Sequence, residues 1–131
     1  MNRNDLRRLA RIRLKEARAL SEAQCFDGAY YLCGYAVECG LKACIAKATR
    51  RSEFPDLEKV KASYTHNLTN LVKQAGLEAA LQAEAASDPD FDLNWTIAKD
   101  WSEKARYAQH DEKKARDLYR AVTNRQHGVM R

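Results

Sequence analysis

The chain has 131 residues, 45% of them hydrophobic, with a formal net charge of +5 at pH 7 and a pI near 9.1. That length makes one domain, residues 1–131, large enough to bury a core without staples, and no apolar run reaches the roughly 18 residues a membrane-spanning helix needs. The basic excess is moderate and falls short of the lopsided charge of a strong non-specific nucleic-acid binder, while five Gly and two Pro suit long helices joined by short connections.

The first predicted element is a helix from about Asp5 to Glu22. Leu6, Leu9, Ala10, Ala17 and Leu20 form its apolar stripe, with Leu14 at the margin. Arg7, Arg8, Arg11, Lys15 and Arg18 gather opposite, as a solvated face or as a landing strip for phosphates or an acidic partner. The stretch is amphipathic and Arg-rich, as transit peptides are, but Asp5, Glu16 and its continuation as ordinary helix set it apart.

A short connection predicts that the next helix returns antiparallel. Phe26 to Thr49 carries apolar residues at spacings of three and four over nearly its whole length, the period of a helix and not of a strand. This is the expected core helix. Gly34 and Gly40 each cost about 1 kcal/mol against Ala in a helix interior, which predicts close approach of another backbone. After Asp27, Glu38 and Lys42 are the strongly polar interruptions, placed four apart in the favourable order for an ion pair. The cysteines, Cys25, Cys33, Cys39 and Cys44, form no C-x-x-C pair. On an apolar helix they read as buried free thiols of a reducing cytosol, so a cytoplasmic protein without a metal site is expected.

Pro55 breaks the chain after Thr49, and Asp56 to Lys61 is expected to form one isolated turn. Thr65 or Asn67 then caps a short helix with Leu68, Leu71 and Val72 inward and Gly76 at its end. His66 stands at that helix entrance, where a histidine is more often structural than catalytic. Leu77 to Ala86 is an Ala-rich helix, and Ser87-Asp88-Pro89-Asp90 interrupts it with cap and first-turn proline signals. Phe91, Trp95 and Ala98 share a face of the following helix, and its tryptophans read as core wedges rather than a base-stacking platform. Asp111 caps the last helix, whose inward stripe is Ala115, Leu118, Tyr119, Val122 and Val129. Its helical pattern reaches Arg131, as in a chain that continues. No glycine-rich phosphate loop, zinc-protease motif or serine-hydrolase elbow is present, and no cofactor is expected.

The order of these motifs resembles the HEPN family, the nucleotide-binding domain of higher eukaryotes and prokaryotes. YYLCGYAVECGLKACIAK is similar to its second helix, with Ala36, Glu38, Leu41, Lys42 and Ala43 matching A-x-E-x-x-L-K-A. YTHNLTNLVKQAGL resembles the entry to the third helix, and WSEKARYAQHDEKKARDLYRAV resembles the Trp…Arg-Tyr segment before the last. The resemblance runs from about Leu6 to Val129. It implies an all-α, up-and-down bundle of four to five helices, often a homodimer, paired in prokaryotes with a small nucleotidyltransferase-like protein in toxin–antitoxin or defence systems. The nucleotidyltransferase signature itself is absent.

Some members are metal-independent endoribonucleases using R-x(4–6)-H, with Arg on the scissile phosphate and His as acid or base. Arg106 and His110 stand near that position, but only Tyr107, Ala108 and Gln109 separate them, one residue short. Arg120 and His127 have the spacing but lie late in the last helix. The leading expectation is therefore a domain that dimerises and binds a nucleotide, RNA or a nucleotidyltransferase-like partner. Its ligand site would gather Glu38, Arg106, Tyr107 and His110. The alternatives are a ribonuclease toxin with Arg106 and His110 as catalytic residues, and a purely structural interaction module. Arg106 also has a plain structural reading, as the ion-pair partner of Glu38 or Asp100.

Overall fold

A computed structural model describes residues 2–49 and 65–130, with backbone alone at 48, 49 and 106. Six α-helices and one 3-10 turn make up the described elements, with no strand among them. They are α1 (Arg3–Glu22), α2 (Phe26–Thr49), α3 (Leu68–Gln74), α4 (Glu78–Ser87), α5 (Pro89–Lys99), the 3-10 turn Glu103–Tyr107 and α6 (Glu112–Thr123). The protein is an all-helical bundle, and α2 matches the predicted core helix from end to end. The turn expected at Asp56–Lys61 lies outside the described residues.

Most helix entrances are fixed by a side-chain oxygen on an otherwise orphaned amide. Asn2 and Asp5 form a reciprocal capping box at α1. Asn67 Oδ1 accepts from Asn70 N–H at 3.0 Å, Asp88 Oδ1 from Phe91 N–H at 3.1 Å, and Asp111 Oδ1 from Lys114 N–H at 2.8 Å. Pro89 sits in the first turn of α5, where its missing N–H costs nothing.

α2 lies at the centre of the bundle because it is apolar nearly all round, and such a helix must be enclosed. Ala29, Tyr30, Cys33, Ala36, Val37, Cys39, Ala43 and Ile45 are all buried. α1 packs along it with Ala10 and Ala17, α3 contributes Leu68, Leu71 and Val72, and α6 contributes Ala115, Leu118 and Val122. Phe91, Trp95 and Ala98 of α5 face the same core, and Trp101 after it is 2% exposed, so both tryptophans are wedges.

Several expectations need correction. The groups that approach α2 at its glycines are side chains, not backbone: Trp101 covers Gly34, and Met130 lies 3.3 Å from where a Gly40 β-carbon would stand. Of the cysteines, only Cys33 and Cys39 are buried, because Cys25 precedes α2 and Cys44 turns outward. The final helix stops at Thr123. Asn124 Oδ1 then accepts from Gln126 and His127 N–H at 3.0 and 2.9 Å. Val129 and Met130 N–H return to the carbonyls of Ala121 and Val122, both at 2.9 Å, folding the tail back on the helix.

Candidate functional site

Glu38 is the buried charged residue of the described core, at 2% exposure. A carboxylate taken out of water must be paired and hydrogen-bonded. Its Oε1 lies 2.6 Å from His66 Nδ1, and its Oε2 lies 3.5 Å from Lys42 Nζ. A carboxylate can only accept, so the His66 ring carries a proton on Nδ1. The far nitrogen, Nε2, stands 3.3 Å from Glu103 Oε2 in the 3-10 turn. His66 thus joins α2 to the turn that bears Arg106 and Tyr107, while 40% of its side chain stays open to solvent. It is held there by the entrance of α3, where Thr65 Oγ1 accepts from Asn67 N–H at 3.1 Å and Asn67 caps the helix.

The groups around the pair remain protonated near neutral pH. Burial pushes the Cys39 thiol up to about 11, Glu38 adds to the rise, and Lys42 and Arg13 only partly offset it. Burial raises Tyr35 as well, with Cys39 and Glu38 acting in the same direction. Cys39 is therefore no thiolate nucleophile. Arg13 is itself ion-paired with Glu16.

His110 is placed elsewhere. Its ring stacks on Tyr30 with centroids 4.1 Å apart and planes 27° from parallel, and Lys114 Nζ lies 5.0 Å from the same tyrosine ring. Its backbone N–H donates to Asp27, Nε2 lies 2.9 Å from the Ala105 carbonyl, and Nδ1 is buried without a partner. Tyr30 and Glu38 are eight residues apart on α2, about 12 Å along the axis. Among the four predicted site residues, the structure thus links Glu38 to the turn of Arg106 and Tyr107 through His66, and sets His110 apart as a ring packed on Tyr30. Tyr107 is 78% exposed.

His66 and Glu103 are the partners the sequence did not reveal. The available signal was the acid itself, since a lone carboxylate in an apolar helix requires a donor. A second polar cluster, Asp88, Asp90 and His127, was also not anticipated. There His127 Nδ1 lies 2.6 Å from Asp88 Oδ2, and Nε2 lies 3.8 Å from Asp90 Oδ2. Since Asp88 also caps α5, the pair ties the folded-back tail to that helix. Asn94 Nδ2 adds a 3.0 Å hydrogen bond to the His127 carbonyl.

Comparison with protein-family models, with curated proteins and with solved structures finds no match for this chain.

Proposed function

We propose that the chain is a HEPN-type helical domain that binds the phosphate-bearing end of a nucleotide or RNA. In this reading it acts as a homodimer and as one member of a prokaryotic pair with a nucleotidyltransferase-like protein. The observation that carries the reading is the Glu38–His66–Glu103 relay. It fixes a half-open imidazole beside a turn that presents an exposed tyrosine and an arginine. An aromatic ring takes a base by stacking, and imidazole and guanidinium donate to phosphate.

The test is a thermal-shift screen of the protein against nucleotides and short RNA. A ligand at a hundred times its Kd adds about 2.7 kcal/mol of stability. That gain is expected in the parent and absent in His66→Gln and Arg106→Ala. Equal stabilisation of all three proteins would overturn the site. A dimer by sedimentation, and co-purification with the protein encoded next door, would support the paired reading.

One observation favours a second reading. A carboxylate that fixes the tautomer of a histidine is the arrangement of a general acid–base pair. On that reading His66, rather than His110, serves a metal-independent ribonuclease. RNA left intact by the pure protein in EDTA would rule it out.

A further inference from the structure

The end of α1 and the middle of α6 enclose a cleft of about 190 Å3 that takes no part in the Glu38 site. Arg18, Ser21 and Glu22 line it from α1, and Arg116, Tyr119 and Arg120 line it from α6. Its volume equals about six waters, room for a phosphate group and its shell. Three guanidiniums face one carboxylate.

The ion pairs present leave that charge available. Arg18 Nε lies 3.2 Å from Glu22 Oε1, and Arg116 Nη2 lies 2.8 Å from Glu112 Oε1, with every partner about half exposed or more. Pairs so exposed are worth about 0–1 kcal/mol and yield to a better anion. Arg120 makes no ion pair or hydrogen bond among the described residues, and the hydroxyls of Ser21 and Tyr119 have no partner there either.

The positive charge continues along α1. Arg7, Arg11 and Lys15 precede Arg18 at helical spacings of three and four, all exposed and all without ion-pair partners among the described residues. Arg7 to Arg18 spans about 16 Å of helix axis, the length of about five nucleotides at 3.4 Å each. A row of cations matches a row of anions better than it matches a single ion. Arg13, whose charge reaches Cys39 near Glu38, lies about 140° round α1 from Arg18, so the two surfaces are separate.

We propose that the Arg18–Arg116–Arg120 cleft anchors one phosphate of a single nucleic-acid strand, whose neighbouring phosphates follow Lys15, Arg11 and Arg7 along α1. This rests on the nucleotide-binding reading but uses a different face. Because phosphate alone is read, oligouridylate and oligothymidylate bind alike.

The experiment is fluorescence anisotropy of both oligonucleotides over a salt series. Each phosphate neutralised contributes a slope of about −0.7 in log K against log salt on single strands. Arg18→Gln/Arg116→Gln/Arg120→Gln is expected to weaken binding at least tenfold and to flatten the slope by about 2. Arg120→Glu alone keeps both ion pairs and should weaken binding at least threefold. Unchanged affinity and slope in both variants would overturn the anchor. So would binding of oligouridylate alone, or binding of inorganic phosphate or phosphatidylserine vesicles with neither strand bound. His66→Gln separates the two proposals. Loss of strand binding in the arginine variants, with mononucleotide stabilisation intact, sinks only the cleft, if the parent's own strand affinity proves salt-independent. Loss of the nucleotide reading at His66, with salt-dependent strand binding intact, leaves the cleft standing.

Discussion

Trp101 lies across Gly34 so closely that a β-carbon there would overlap the indole ring. Replacing Gly by Ala in a helix gains about 1 kcal/mol from propensity, whereas overpacking a rigid core costs about 1–3 kcal/mol. Trp101 is among the largest fully buried side chains and has nowhere to retreat, so the clash wins. Gly34→Ala is expected to lower the denaturation midpoint and shift the tryptophan emission, and a variant as stable as the parent would contradict this packing. Asp88 offers a second test at the same scale. The hydrogen bond from His127 lowers its pKa from the ordinary carboxylate value, with the Phe91 amide helping. A lowered folded pKa stabilises the fold above the unfolded value, near pH 4. That contribution disappears as the pH falls through the folded value. Asp88→Asn should therefore flatten the acid limb of the stability curve and leave its neutral-to-basic shape unchanged. Glu38 was legible in the sequence because an acid in an apolar helix stands out. His66 as its partner was not, because 28 positions separate them and helical spacing carries no information across a break.

Two helices end in the same hydrogen-bonded motif with different residues at its left-handed position. After α3, Gly76 has φ 72°, and Leu77 N–H reaches the Val72 carbonyl at 3.1 Å. After α1, Gln24 has φ 61°, and Cys25 N–H reaches the Leu20 carbonyl at 2.7 Å. A side chain in this conformation costs about 1 kcal/mol that glycine avoids. Gln24→Gly is thus predicted to stabilise the protein by up to about 1 kcal/mol, and Gly76→Ala to destabilise it by a similar amount, both measured by chemical denaturation. Gly76 marked its helix end in the sequence, whereas Gln24 gave no such signal and the turn was inferred from the brevity of the connection. α4 is the opposite case to α2. Its entrance residue, Leu77, supplies no side-chain cap, and none of its residues is buried. Helix propensity alone identified it, and propensity confers little tertiary stability. Its amides should exchange with solvent faster than those of α2, and equal protection would show that α4 is covered by another surface.

At the scale of the molecule, α2 is enclosed on several sides, so its chemistry reports on the opening of the whole bundle. The sequence indicated the enclosed rod but not which of its faces each partner covers, since periodicity on a helix apolar all round selects no face. The thiols make this measurable. Burial pushes Cys33 up to about 12 and Cys39 to about 11, while Cys25 and Cys44 are exposed. Only the thiolate reacts, and a thiol at pKa 12 is ionised about a thousandfold less at pH 8 than an ordinary one near 8.5. Two thiols should react at once with a disulfide reagent in the native protein, and two only as fast as the core opens. Because α1, α3 and α6 all cover α2, the slow pair should follow global unfolding and converge with the midpoint measured by denaturant. His66→Gln removes the short donor from a buried carboxylate, a loss of about 1–3 kcal/mol. Where labelling tracks the equilibrium population of the open state, that loss accelerates the slow thiols about five- to 150-fold and leaves the fast pair unaffected. Acceleration of Cys39 alone would mean that the Glu38–His66 contact holds only its own neighbourhood. Acceleration of Cys33 and Cys39 together would mean that it helps hold the bundle on its central helix.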